Sequence, residues 1–464
     1  MVKINADTRS NLGLLILLLL IVVLESGCGW SGTELAVTPE PSFLVTPPPA
    51  AKSTTSSKPG FSNLNYDILP PPANIPKPAV SVPFIDPVFK TRITRITDAK
   101  ASSKPGLFPI YSKFQAWNSD ESLLLLRSDD GSVLLYDGAS YKFIKALEPV
   151  GGEDIFWHPV DPALILYNPG HELWVLNIKT DENYRVFDFA GFEFAHTRGE
   201  GNLSRDGACY AVVCSTYDAS SGDVQPVKLI LLSLTQAQGK ITGKIEQSMN
   251  LPKSVQDMDW ISVSPNGKYI VVDYADDITG RYHGVEVYDC TFKFLWQKPL
   301  GWGHSDLGID GNGDDCLVMD VYNADTNKTV FMKCRLSDGL ETRLIETNSF
   351  YYQHLSCRNT GQPGWCLIST FDNVGRLTDS PATWLPFEDE IFLLKMDGSG
   401  ETRRIAHHHS RRYSPNTPDS DTSVYWAEPH ASISRNGDRI LYGSNWGLNV
   451  DKVESVDTYL VDLR

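Results

Sequence analysis

A chain of 464 residues with 41% hydrophobic and 11% aromatic side chains has the apolar material for one large core or for two to three average domains. Its formal net charge of −16 lacks the basic footprint of a nucleic-acid binder, so no nucleic acid is expected among its partners. Any local basic cluster in so acidic a chain stands out.

The first 28 residues read as an export signal. Lys3 and Arg9 give a positive start, and Leu12–Leu24 is apolar throughout apart from Gly13, at roughly 13 residues too short to span a bilayer, which takes ~20. Ser26-Gly27-Cys28 then resembles the end of a bacterial lipobox, with Glu25 where an apolar residue is usual. Lipidation of Cys28 is expected, with ordinary cleavage or an uncleaved anchor as alternatives. Residues 29–85 are dense in Pro, Ser and Thr, cannot bury enough surface to offset ordering entropy, and read as a disordered, semi-extended linker. Together they describe an exported lipoprotein, periplasmic or at the cell surface, whose membrane contact is the lipid.

From residue 86 to 464 helical periodicity is scarce. Short apolar runs such as Tyr269–Tyr274 and Arg439–Ser444 recur between clusters of Gly, Asp, Asn and Pro, which predicts an all-β fold. One element repeats: an apolar lead-in, a polar turn rich in Asn, Asp and Gly, then an apolar strand. Its copies begin at Trp117, Trp157, Asn202, Val263, Gly308, His354 and Ser432. A four-stranded propeller blade takes about 40–50 residues, so seven copies predict a seven-bladed β-propeller with insertions in its two longest intervals, six or eight blades being the alternatives. A second run after most turns, such as Val133–Asp137 and Val285–Asp289, supplies the third strand of each blade. The C-terminal Thr458–Arg464 reads as a third strand, and Thr91–Thr97 is placed to complete the last blade and close the ring without an open sheet edge. A monomer is expected.

Cys209, Cys214, Cys316, Cys334 and Cys366 lie in or beside apolar runs and read as small buried hydrophobes. No CxxC pair supports a zinc ribbon or a thioredoxin-like site.

In a propeller the starts of the innermost strands and the loops between strands two and three share one rim, called the top here. His304, His354 and His430 fall at the tops of inner strands in the last three blades, and His196, with Arg198 close by, takes a similar place in the third. Arg281, Tyr282 and His283 occupy a top loop of the fourth blade. An insertion before the last blade carries His407, His408, His409, Arg411, Arg412 and Tyr413. His158, beside Pro159, sits on the other rim and reads as structural. Any one of these histidines could serve packing alone, and the insertion could be a solvated loop.

Converging imidazoles at a channel mouth suit a divalent cation, with a carboxylate completing the shell. Glu428, two residues before His430, is the candidate carboxylate, so His304, His354, Glu428 and His430 form the expected metal set, for manganese, zinc or calcium. Cys357 is three residues past His354 and faces the other side of the strand. Arg, Tyr and His beside such a site suit β-elimination on a uronic acid: a cation neutralises the carboxylate and acidifies the adjacent C–H, and Tyr or His moves protons. Neither a carboxylate pair for glycoside hydrolysis nor a G-x-S-x-G elbow, phosphate loop or dinucleotide fingerprint is present.

The repeats, together with Gly303–Gly313, His354–Asn359 with Pro363–Trp365, and Tyr425–Trp446, resemble the exported propellers related to oligogalacturonate lyases and ulvan lyases. In oligogalacturonate lyases a manganese ion sits at the channel mouth on histidines from neighbouring blades, an arrangement that His354 and His430 match. That family's His-Pro-His reads Glu428-Pro429-His430 here, one ligand becoming a carboxylate. Ulvan lyases carry a His, Tyr and Arg set for elimination, and His196, Tyr282 and Arg281 take those roles by position. Arg198, His283, Arg411 and Arg412 would bind substrate. The resemblance implies a polysaccharide lyase acting on acidic, uronate-containing polysaccharide or oligosaccharide. The alternatives are a non-catalytic propeller that binds glycan or a protein partner, and a hydrolase or isomerase of sugar acids.

Overall fold

The computed structural model describes residues 66–72, 75–148, 150–218, 222–274, 280–299, 304–350, 352–371, 384–411, 422–447 and 456–464. They form seven antiparallel sheets in chain order, the blades of a β-propeller. Blades two to six have four strands each; blade three, with strands Cys209–Tyr217, Val224–Ala237 and Lys240–Asn250, is the longest. No helix among the described residues is long and apolar enough to cross a membrane.

The repeated turn has one physical basis. In Ser204–Gly207, Ser264–Gly267 and Ser434–Gly437 the last residue's N–H bonds the first residue's carbonyl at 2.8–2.9 Å. The serine hydroxyl then accepts the N–H of the residue that opens strand two: Cys209 at 3.0 Å, and Tyr269 and Arg439 at 3.1 Å. The closing glycines adopt φ of +70° to +74°, where a side chain is strained. At Gly207 a Cβ would also meet the His158 ring at 2.6 Å. His158 itself caps its own turn, its Nδ1 accepting the Asp161 N–H at 2.9 Å, so its structural reading holds.

The ring closes as the sequence suggests. Arg92–Arg95 pairs with Asp457–Asp462, which pairs with Arg439–Ser444, so N-terminal residues supply the outer strand of blade seven. Ile93 is fully buried among Ile433, Ile440, Tyr459 and Val461. Ordered contacts begin before the expected linker end at residue 85. Pro83–Ile85 adds a fifth, outermost strand, Tyr66 bonds the Glu346 carbonyl at 2.7 Å, and Trp446 bonds that of Ile75 at 2.9 Å. Proline is tolerated there because an edge strand needs fewer N–H donors.

Blade one departs from the pattern. Its sheet has three strands, and its inner position is held by two bridges, Phe108 with Arg127 and Trp117 with Leu124. Nine steps of inner chain therefore face three of strand two, and the excess runs into the channel. The Lys113 carbonyl accepts Asn202 of blade three, and Gln115 donates to carbonyls of Arg358 and Ile433 in blades six and seven. Trp157 of blade two donates to Ala116, and Ser432 of blade seven donates to Phe114. Residues 109–116 form a crossing segment that touches five other blades, counting the Lys113 ammonium 4.5 Å over Trp260 of blade four.

The cysteine reading stands for Cys214, Cys316, Cys334 and Cys366, which are buried, as is Cys357; Cys209 is half-buried. All are free thiols. Cys28 and residues 1–65 lie outside the described residues.

Candidate metal centre at the channel mouth

His354 stands in the inner strand of blade six, and His430 just before the inner strand of blade seven. Their rings are 4.1 Å apart between centroids. Glu428 Oε2 is 3.5 Å from His354 Nε2, and one donor atom from each of the three residues falls within 4.8 Å of the others. All three side chains are buried. His430 Nδ1 bonds the Glu428 carbonyl at 2.8 Å, which makes Nδ1 the protonated nitrogen and Nε2 the lone-pair donor. The backbone holds His430 at φ +41°, a strained conformation of the sort found at functional sites.

His304 of blade five lies 4.5 Å from the His354 ring. Burial pushes its pKa down to about 4, so the ring is neutral at physiological pH. The structure thus brings His354, Glu428 and His430 within ligand reach of one another and sets His304, the fourth expected ligand, against the His354 ring. Two nitrogens, a carboxylate and a third imidazole alongside fit a first-row divalent cation.

Aromatic rings wall this cluster. Tyr111 of the crossing segment lies 5.8 Å from His354 and 5.3 Å from His430. Tyr425 and Trp426, from the short helix Thr422–Ala427, lie 4.9 and 5.5 Å from His430. Deeper, Lys113 is buried and paired with Glu200 of blade three, so the channel carries its own cation and counter-charge. Asp320, bonded by Gln353 at 2.9 Å, is raised by burial to about 7.

The other expected site residues lie elsewhere on the rim. His196 Nδ1 accepts the Arg198 N–H at 3.1 Å and lies 3.5 Å from Glu153. Arg281 folds back on its own blade: Nε is 3.2 Å from the buried Glu286, and the guanidinium lies 4.2 Å over Phe294. Tyr282, at φ +68°, packs edge-on against Tyr274. None of these contacts reaches the histidine cluster. The arginines expected to grip an acidic ligand each hold a carboxylate of the chain: Arg198 with Asp257 at 2.6 Å, Arg281 with Glu286, and Arg411 with Asp389 at 2.7 Å. His283 is half-buried in the blade-four loop, and Arg412 lies outside the described residues.

The start of the insertion is not a solvated loop. His407 and His408 are buried and His409 half-buried; His408 bonds the Thr370 carbonyl at 3.0 Å and His409 packs 4.3 Å from Trp446.

Sequence reasoning missed Tyr111, Lys113 and Arg127. Arg127 ends strand two of blade one, on the same rim, with its guanidinium 4.8 Å over Trp426. Among the described residues it makes no ion pair. The available signal was Lys113 as the one charge in the mostly apolar and aromatic stretch Leu107–Trp117.

No protein-family model matches the sequence, and no curated protein matches it. Solved structures do. An oligogalacturonate lyase in complex with manganese aligns with a TM-score of 0.58 at 14% identity, over 82% of this chain and 96% of its own. An oligogalacturonate lyase from Vibrio parahaemolyticus aligns at 0.56 and 11% identity, over the same shares. The likeness is one of fold. Oligogalacturonate lyases are thus structural neighbours of this seven-bladed propeller, as the sequence motifs suggested.

Proposed function

We propose that this chain is a lyase of acidic, uronate-containing glycans, acting by β-elimination at the histidine-bearing mouth of the propeller channel. The observation that carries the reading is the buried His354, Glu428 and His430 cluster with His304 beside it. Glu428, His430 through Nε2, and His354 would hold a divalent cation, with manganese favoured by the ion named in the structural neighbour. When bound, the cation supplies positive charge that neutralises a uronate carboxylate and acidifies the adjacent C–H.

The remaining work falls to the protein. Arg127 can take a substrate carboxylate in two parallel hydrogen bonds, since it makes no ion pair among the described residues. Trp426, Tyr425 and Tyr111 wall the histidines and exclude water from one side of them. In the elimination the proton next to the carboxylate leaves to a base, its electron pair forms the new C=C bond, and the C–O bond breaks. The leaving oxygen then gains a proton. His196 suits that last step, because the Arg198 N–H on Nδ1 leaves Nε2 carrying the ring proton. Tyr282, expected as the base, packs against Tyr274 in blade four, so the proton abstraction is left without an assigned residue.

One observation favours the second reading, a propeller that binds anionic glycan without cleaving it: Arg281, assigned to elimination, is tied to Glu286. Mass spectrometry of an oligogalacturonate digest separates the readings. A lyase yields fragments whose masses sum to the substrate's and one of which is unsaturated; a hydrolase adds one water per cut; a binding module returns the substrate intact.

We also place the domain outside the cytoplasm, tethered through lipidated Cys28. Labelling with a fatty-acid analogue should mark the parent chain and leave Cys28→Ala unmarked. Equal labelling of both would refute the tether.

A further inference from the structure

The opposite mouth of the channel carries a second feature, remote in chemistry from the histidines. The crossing segment turns Tyr111 toward the histidine cluster, while Phe114 and Gln115 help line a pocket on the far side. Its rim is built from the strand-one-to-strand-two turns, through Pro159, Arg205, Pro265, Thr360 and Arg435. Three arginines line it, Arg205, Arg358 and Arg435 of blades three, six and seven. Converging cations in a chain of net charge −16 are not explained by the average surface.

The nearby acids carry other bonds, Asp206 beside Arg205 accepting the Ser204 hydroxyl and the Ala208 N–H. Glu121 pairs with Arg439. Asp315 accepts the Ser264 hydroxyl at 2.9 Å and the Asn266 N–H at 3.0 Å in blade four. Asp306 is held by Arg358 in a two-pronged pair, Nη2 to Oδ1 at 2.6 Å and Nε to Oδ2 at 3.1 Å. Arg205 and Arg435 make no ion pair among the described residues, and the buried Arg435 Nε has no hydrogen-bond acceptor. We infer that this pocket is an anion-binding site, distinct from the histidine mouth, which takes one oxyanion group, carboxylate or sulfate-like, between Arg205, Arg358 and Arg435.

The surroundings agree with that chemistry. Burial, with the charge of Arg358 beside it, lowers the Arg435 pKa to about 10. An oxyanion between the two guanidiniums relieves that repulsion and satisfies the Arg435 Nε–H. Phe114, Phe156 and Leu203 supply an apolar wall, so a small planar or ring-borne anion fits better than a long flexible acid.

The test is calorimetry of the purified chain with inorganic sulfate, inorganic phosphate, galacturonate monosaccharide and glucose, at ionic strength fixed with chloride. One saturable site for an oxyanion, absent for glucose, is expected. Galacturonate binding more tightly than sulfate and phosphate identifies a sugar carboxylate as the ligand; the reverse identifies a free inorganic anion. Arg435→Gln and Arg205→Gln should each weaken the site at least tenfold, while His430→Ala leaves it unchanged. Arg205 is exposed, so its variant tests the idea without threatening the fold. Arg358 is left intact because its removal would strand Asp306 as a buried charge. Absence of saturable binding by all three anions, or equal affinity in the parent chain and both arginine variants, would overturn the inference.

Discussion

His354 Nε2 and Glu428 Oε2 approach to 3.5 Å with both side chains closed to solvent, joining blade six to the residues that lead into blade seven. An imidazole and a carboxylate at that distance, with a second imidazole against them, form a donor set for a cation. Elemental analysis of purified protein should therefore find about one divalent ion per chain. His354→Ala and His430→Ala should each lose most of it. Saturation with manganese at 100 times its dissociation constant should stabilise the parent by about 2.7 kcal/mol and the variants by far less. Equal ion content in all three proteins would refute the assignment.

Among the described residues Arg127 makes no ion pair, whereas Arg198, Arg281 and Arg411 each do, so Arg127 should carry ligand affinity. Arg127→Gln should raise KM for a uronate oligomer about tenfold, about 1.4 kcal/mol, with a smaller effect on stability. Arg411→Gln should do the opposite, since it leaves the buried Asp389 without its partner at 2.7 Å. Steady-state kinetics and thermal melting on the same preparations distinguish the two.

The histidines between blades six and seven make acid destabilising. Burial pushes His408 down to about 3, against about 6.5 in an unfolded chain. Between those values the unfolded state binds a proton that the folded state does not, so this stabilisation is complete above pH 6.5 and is lost as the pH falls toward 3. Each such histidine contributes about 1.4 kcal/mol per pH unit in that window. Glu390, raised by burial to about 7, acts in the opposite sense between its unfolded pKa and 7, so the clean readout is a difference. Denaturant titrations across pH 4–6 should show a shallower pH slope for His408→Asn than for the parent. Parallel slopes would contradict the assignment.

Ring closure depends on a strand far from its neighbours in sequence. Ile93→Ala should cost about 2–5 kcal/mol by opening a cavity between blades six and seven, whereas Arg92→Ala, on the exposed face, should stay within about 0.5 kcal/mol. Chemical denaturation measures both. An equal effect of the two would mean that Arg92–Arg95 does not close the blade.

The fold was legible because its signal is local. A serine or aspartate, a short polar run and a glycine in a left-handed turn repeat in most blades, and the hydrogen bonds of each turn lie within about six residues of one another. The positions of His304, His354 and His430 followed from counting along that repeat. The crossing segment was not legible, since Ile110–Ala116 reads as an ordinary lead-in and only its bonds to Asn202, Arg358 and Ile433 reveal its path. Nor could the sequence show which arginines were already occupied. Glu286 lies five residues from Arg281, but Asp257 is 59 residues from Arg198 and Asp389 is 22 from Arg411. Burial of His407 and His408 was hidden likewise, because His407 packs on Asp86 and Phe89, over 300 residues away, and His408 on Thr370 and Phe371 across its own blade.

The most direct test of the central claim is the ultraviolet absorbance of the unsaturated product, followed over time. Manganese-loaded parent protein is incubated with a panel of uronate polymers beside His354→Ala and Glu428→Gln. A steady rise with at least one polymer, abolished by chelation and reduced at least a hundredfold in both variants, is the predicted result. No rise with any polymer from fully loaded parent, or a rise that both variants reproduce, would contradict the account.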